Sequence, residues 1–397
     1  MSQREVVIVG AGVVGCSIAY HLAKQGVPSQ IIERDSIAAR ASGKPWAVFT
    51  YPARILGMEG QPSDQLFSMP VGSVEPWLEL FWSGYHRLPD VALDLKEKGG
   101  IDVGYGELSR IMIALSEGEE TSYKANLSFL RSQGYHETSW LEADDLRAIF
   151  PNINPLARGG MVLPTFQVEP YRYTLGLAQA AEKMGASIRQ GEVVGFRKQG
   201  SKVTSAILTT GTEVDSDVFV LAMGPWTTQG TAWLGKEIPI RVNREQCLRV
   251  EVPQRLPPYM LTCGVSIIPM VNGEVILGHA GIPDMQTSFD VSLTTEEVKL
   301  KLLDEAIVLL PSLNEAKLIE HRGDFEGWAP APNNIQPVIG RLQEWDNAYI
   351  AARFGTLGMM LSLGAGQVMA DLIIGEGRIP DRVKNMMEVL SPARLEG

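Results

Sequence analysis

Cysteine is scarce: the 397 residues contain three, Cys16, Cys247 and Cys263. They are scattered, odd in number and lack C-x-x-C spacing. That argues against a disulfide framework and a structural zinc site, and fits a reducing cytoplasm. Histidine is also sparse, with five. No H-E-x-x-H, P-loop or Ser/His/Asp order stands out, so no metal centre is expected. Basic charge is short as well: 35 Lys and Arg stand against 46 Asp and Glu, a net charge of −11. Nucleic-acid binding needs a basic face that releases counterions, so that class of partner is not expected. The N-terminus lacks the basic region and small-residue cleavage site of a secretory leader. No run reaches the ~18 apolar residues of a bilayer span, so no transmembrane segment is expected; a peripheral membrane contact stays open. There is no internal repeat, low-complexity tract or obvious linker.

What is present is an ordinary globular composition, 45% hydrophobic and 20% charged. The length exceeds what one hydrophobic core organises, which predicts two domains, and a homo-oligomer is compatible with it. Arg4–Val9 is a valine-rich run suited to a strand buried on both faces. Val14–Lys24 has helical periodicity with Gly26 as its stop, and Gln30–Glu33 reads as a second strand. This is a first βαβ unit.

Residues 37–70 read as loop, with Gly43, Pro45, Pro52, Gly57, Gly60 and Pro62. The pattern then predicts one helix from Val74 to about Leu95, a strand over Glu107–Leu115 and a helix over Glu117–Ser132. A helix is predicted from Pro170 to Gly185, followed by strands at 187–190, 192–198, 203–210 and 217–222. Long strands are predicted over 238–252 and 265–278, the second broken at Asn272-Gly273. Thr294 with Glu297 gives a capping-box helix start. A strand at 348–352 and a helix at 357–374 close the pattern.

Gly10-Ala11-Gly12-Val13-Val14-Gly15 is G-x-G-x-x-G between a strand and a helix. Gly10 allows the tight turn, Gly12 lets a pyrophosphate approach the backbone, and Gly15 lets helix and strand pack closely. Free amides and the positive helix end hold phosphates. Glu33, followed by Arg34, ends the second strand at the spacing of a carboxylate that accepts from ribose hydroxyls. The motif does not choose between NAD and FAD.

Further blocks occur in order: Ala41-Ser42-Gly43-Lys44, Gln167–Arg172, Glu192–Phe196, Phe219–Trp226, Pro337–Gly340 and Arg353–Gly358. With the N-terminal motif they make the chain resemble the D-amino acid oxidase-like family of FAD enzymes, which includes glycine oxidase, sarcosine oxidase and bacterial D-amino acid dehydrogenases. The resemblance covers nearly the whole chain. It implies an α/β fold: a doubly wound Rossmann-type FAD-binding domain interleaved with a smaller, mostly antiparallel substrate domain. Residues 1–75, 150–235 and 325–397 are assigned to the first, 76–149 and 236–324 to the second.

The resemblance implies a cofactor site of Gly10, Gly12, Val13, Val14, Gly15, Glu33, Arg34, Ser42, Gly43, Lys44, Val193, Ala222, Gly224, Trp226, Gly340, Arg353, Gly355, Gly358, Met359 and Met360. Non-covalent FAD is expected, because 42–48 has no histidine and 320–336 no cysteine, the family's two attachment regions. The Arg353–Gly358 turn puts amides and a helix end where a reduced flavin would be negative.

The substrate side departs from the family. Ala329 stands where "GlRPltpDg" has a carboxylate-binding arginine, Ser266 where a tyrosine is common, and Met360 where sarcosine oxidases hold a lysine. Either Arg353 binds the substrate carboxylate from a new position, or the substrate has none. Arg353 paired with a protein carboxylate or the cofactor stays open too. His279 is a candidate orienting group. Trp46, Tyr51, Tyr171 and Tyr259 are candidates for an aromatic wall, and Glu245-Gln246 for the family's "kGq" turn near the flavin.

The expected function is hydride removal from the carbon beside nitrogen of a small amine or amino acid, with oxygen or another acceptor reoxidising the flavin. Oxidation of a 2-hydroxy acid, a flavin-binding protein without turnover and an NAD-dependent dehydrogenase are the alternatives. The purified protein should be yellow. A colourless protein that takes up a nicotinamide instead would end the flavin reading.

Overall fold

A computed structural model of the chain describes residues 4–46, 48–50, 74–132, 134–279, 284–330 and 337–395. The valine run becomes β1 (Val6–Val9), buried at every position. It is followed by α1 (Val13–Lys24) and β2 (Ser29–Glu33). A six-stranded sheet runs in the order 338–341, 348–352, 218–221, β1, β2, 187–190. Neighbours are parallel except at the edge, where 338–341 runs against 348–352. Parallel strands need both faces covered, which explains their near-continuous apolar sequence.

One face carries helices. α1 packs against the helices Pro170–Lys183 and Gly358–Ile374. A Cβ on Gly366 would stand 2.3 Å from Ser17 Oγ and 2.7 Å from Ser17 O, so the two helix backbones nearly touch there. The other face packs Val7, Val9, Phe219 and Leu221 against Phe196, Val203 and Leu208 of a three-stranded antiparallel meander, 193–199, 202–208 and 213–215.

The second sheet has ten strands. Its main path runs 285–286, 241–251, 275–279, 265–269, 259–263, 106–114, 159–167, 48–50. Lys317–Trp328 pairs with 241–251, and Ser139–Glu142 with 159–167. All described pairs are antiparallel except 259–263 with 106–114. The helix Glu296–Leu309 covers one face of it through Leu302, Ala306 and Leu309. Strands 48–50 and 159–167 lie in this sheet, although the sequence groups their segments with the nucleotide half.

Several expectations are revised. The single helix over 74–95 is two, Val74–Tyr85 and Leu88–Asp94, because Pro89 has no amide to continue the first ladder and starts the second. The helix start expected at Thr294 is at Thr295, whose side chain accepts from Val298 N. The segment Gly355–Ile374 has the length and mean hydropathy, 1.6, of a membrane span. Within that window 78% is buried inside the protein, as in a core helix. The three cysteines are free.

Gly366→Ala should lower stability by about 1–3 kcal/mol through overpacking against Ser17, read as the urea midpoint. An unchanged midpoint would mean the helices have room to part.

Candidate cofactor and substrate site

The carboxyl ends of β1 and β2 build the first half of the site. Gly10 has φ +110°, and a Cβ there would lie 2.5 Å from Ala222 O. A Cβ on Gly15 would lie 2.0 Å from Gly10 O. Packing alone requires these two glycines. Gly12 differs: it is the N-cap of α1 with no side chain to cap it, and its nearest neighbour would be Ser42 Oγ at 3.2 Å. Ser42 Oγ accepts from Val13 N at 2.9 Å. Val14 and Gly15 keep first-turn amides that no helical carbonyl can reach. Glu33 is fixed beside this turn, accepting from Ala11 N at 2.7 Å and Asp35 N at 2.8 Å.

Beyond Glu33 an aromatic and cationic wall follows. The Arg34 guanidinium lies 4.3 Å from the Trp226 ring centre, and Phe289 stacks on Trp226 at 4.8 Å. Gly191 N donates to Glu33 O, which sets the start of the strand with Val193 next to β2. Ala222 N bonds to Val9 O, and the next glycine, Gly224, has φ +56° with open space where a Cβ would be.

The turn Ala41–Gly43 meets the start of α1 through Ser42. A Cβ on Gly43 would sit 2.2 Å from Ala38 O. Lys44, expected at phosphate or flavin, has its ammonium 2.5 Å from Asp324 Oδ2, a carboxylate only 2% exposed. Arg322 Nη2 donates to Pro45 O at 3.3 Å, Cys247 Sγ to Lys44 O at 3.3 Å, and the Trp46 ring covers Gly278. The strands 241–251 and 317–328 therefore clamp this turn.

The second half comes from the other end of the chain. Strand 348–352 ends in Arg353, which has φ +65° and is 4% exposed. Its Nε and Nη1 are shut off from solvent and have no hydrogen-bond partner among the described residues. Burial pulls its guanidinium down to about 10. Arg394 is pulled down to about 10 as well, by burial and then by the charge of Arg353. Gly355 (φ +51°) turns the chain, and Gly358 starts the long helix with only Phe354 Cβ, at 3.8 Å, near its missing side chain. Met359 is buried and Met360 half-buried. Gly340, with φ +148°, is accounted for by Pro392 Cδ, 2.9 Å from where a Cβ would lie.

β1 and 348–352 run parallel, flanking 218–221. The helix starts at Gly12 and Gly358 thus open at one edge of one sheet. The strand 317–328 reaches both loops, through Asp324 to Lys44 and through Trp328 to Leu357. An elongated anionic dinucleotide fits this arrangement: uncapped amides, a glycine cradle a Cβ would fill, and a buried arginine without an acid. No cluster able to hold a metal ion occurs among the described residues.

Other candidates fall elsewhere. His279 ends strand 275–279, its backbone opposite Val265; its side chain lies outside the described residues, as do Tyr51 and Ala331–Asn334. Tyr259 packs edge-on against Phe150, Tyr171 is exposed, and Ser266 is buried beside Thr262. Ala329 is buried. The sequence reading overlooked Arg322, Asp324 and Glu326. Their alternation is a usable signal only once 317–328 is known to be a strand.

Removing Lys44 leaves Asp324 buried and unpaired. Lys44→Met should destabilise by about 2–4 kcal/mol. Lys44→Met with Asp324→Asn should recover part of that loss in a thermal-denaturation double-mutant cycle. Purely additive losses would show that the pair does not hold the turn.

Comparison with known proteins agrees with the geometry. The profile of the family described as FAD dependent oxidoreductase matches residues 5–372. The chain is similar to glycine oxidase of Geobacillus kaustophilus, 26% identical over 379 residues and covering 94% of each chain. It is similar to D-amino acid dehydrogenase of Agrobacterium fabrum, 24% identical, covering 93% of this chain and 96% of the other. The solved structure of glycine oxidase from Bacillus cereus superposes with a TM-score of 0.81 at 25% identity, covering 94% and 96% of the two chains. With the cradle, the second helix start and this match in one chain, the protein belongs to the FAD-dependent oxidoreductase family typified by D-amino acid oxidase.

Proposed function

We propose that the protein oxidises a small amine at the carbon beside nitrogen, in the cleft between the six-stranded sheet and the strands 241–251 and 317–328. FAD, when bound, supplies the hydride acceptor. The observation that carries the reading is the convergence of the Gly12 and Gly358 helix starts at one sheet edge. The similarity to glycine oxidases supports C–N chemistry over hydroxy-acid chemistry.

The chain's own residues have positioning roles. The amides after Gly12 and the Ser42-organised turn receive phosphates, and Glu33 receives ribose hydroxyls. Arg353 meets an anion in the cleft, and we assign that anion to the cofactor, held without a covalent bond. The amides after Gly355 and Gly358 face the ring's negative locus. Trp328 and Leu357 close the gap between the strands and the second helix start, which excludes water. No residue is assigned as a base. The amine must arrive unprotonated, and the imine product hydrolyses once released into water.

Under anaerobic conditions a primary amine should bleach the flavin and a matched alcohol should not; bleaching by the alcohol alone would replace this reading with hydroxy-acid oxidation. The reduction rate should climb with pH through the pKa of the bound amine, whereas a flat profile with chemistry rate-limiting counts against it. Arg353→Met should weaken FAD retention on the order of 10–100-fold, measured by flavin release on dialysis. Unchanged retention with a raised half-saturation for amino acids would give Arg353 to a substrate carboxylate instead.

A further inference from the structure

The strands that roof the cleft carry more acidic than basic side chains on the side that faces it. Side chains alternate along a strand, so one contact fixes the face of every second residue. On 241–251, Cys247 reaches Lys44 O, which puts Asn243 and Glu245 on the same side. On 317–328, Arg322 reaches Pro45 O and Asp324 reaches Lys44. Trp328 packs against Leu357, so Glu326 shares that side. The register places Asn243 opposite Glu326 and Glu245 opposite Asp324. Glu245 and Glu326 are therefore diagonal neighbours, between the N-terminal turn and the C-terminal helix start.

Charge here does not balance. Lys44 is taken by Asp324, Arg244 by Asp284, and Arg322 lies 3.7 Å from Glu320. Neither Glu245 nor Glu326 has a cation within 4.0 Å among the described residues. Glu326 Oε2 accepts from Trp328 Nε1 at 3.1 Å and from Asn243 Nδ2 at 3.4 Å, which orients it. Glu245 Oε1 is shut off from solvent and meets no donor among the described residues. An orphaned buried acceptor is costly unless a donor arrives. Independently, the residue after Trp328 is the buried Ala329, where the family resemblance places a cationic carboxylate clamp. An acidic pair therefore lies on a roof that has no cation at position 329.

We propose that Glu245 and Glu326 receive a second, distal ammonium of the substrate, so that the substrate class is a diamine or other dicationic amine and not an α-amino acid. The inference rests on the amine-oxidation reading above. Two carboxylates with Trp328 beside them suit an ammonium, which offers three donors and no acceptor. The groups facing the pair are Asp324 with Lys44, Asp284 with Arg244, Arg322 with Glu320, Asn243 and Trp328. Burial pushes Glu326 up to about 7, and burial followed by repulsion from Glu326 and Asp284 pushes Glu245 well above the carboxylate range. Both are raised; the contribution of Glu326 to stability is intact below the ordinary carboxylate range and is lost as pH rises through about 7. A bound ammonium reverses that loss.

The test uses holoenzyme with putrescine, n-butylamine and glycine as anaerobic reductants. Wild-type flavin should be half-reduced at a far lower concentration of putrescine than of n-butylamine. Glu245→Gln and Glu326→Gln should raise that concentration for putrescine on the order of 10–100-fold, with little change for n-butylamine. The tert-butylammonium ion has no hydrogen on the carbon beside nitrogen and cannot be oxidised. It should raise the thermal midpoint of wild type above pH 7 and not that of the double variant, which keeps the readout independent of turnover. Equal half-saturation for putrescine and n-butylamine, unaltered in both variants, overturns the inference and leaves amine oxidation standing. Glycine as the best reductant, improved by either Gln variant, also overturns it. Flavin unchanged by every amine refutes amine oxidation itself, while the tert-butylammonium shift still reports on the carboxylate pair.

Discussion

The contact on which the architecture depends is the backbone approach of two helices at Gly366 and Ser17. Both helices leave parallel strands of the same sheet at the same edge. Their lateral packing therefore fixes where their amino ends open. Gly12 and Gly358 supply no side chain in front of the amides; at the first end Ser42 Oγ takes Val13 N and leaves those of Val14 and Gly15. A helix end without a cap is an electrostatic vacancy, and an anionic dinucleotide suits two of them on one edge.

The antiparallel strands complete this edge from the other side. A single strand, 317–328, touches the N-terminal turn through the Lys44–Asp324 pair and the C-terminal loop through Trp328 and Leu357. Because side chains alternate, whatever lies between those two anchors on the same face must look into the cleft. What lies there is carboxylate. In the proposed function the anions of the cofactor meet Arg353 and the helix ends, and a cationic amine meets Glu245 with Glu326. That separation of charge follows from the pleat of two strands and the end of a third.

Legibility in the sequence was uneven, for physical reasons. The N-terminal unit is local: strand, glycines, helix, strand and Glu33 lie within 28 residues of one another, counted from Val6 to Glu33, and each carries its own periodic or steric signal. The helix 117–132 and the strands 187–190 and 348–352 were legible for the same reason. The strands 159–167, 259–263 and 317–328 were not read. In 317–328 the first four residues are exposed throughout, and 159–167 carries Gly159, Gly160 and Pro164, which read as loop. Lys44 illustrates the other difficulty. The resemblance placed it in the cofactor site, and the partner it meets is 280 residues away.

By itself the sequence determined that a glycine turn joins β1 to α1 at Gly10–Gly15, that Glu33 stands beside it, and that a second glycine-lined helix start follows strand 348–352. These are properties of short segments, in which sterics and hydrogen bonding act between near neighbours. Only the tertiary structure decided that the two helix starts share an edge, that Lys44 belongs to Asp324, that Arg353 is buried without an acid among the described residues, and that Glu245 and Glu326 lie side by side. Each of those depends on strand register and helix packing, which set the distance between residues far apart in the chain.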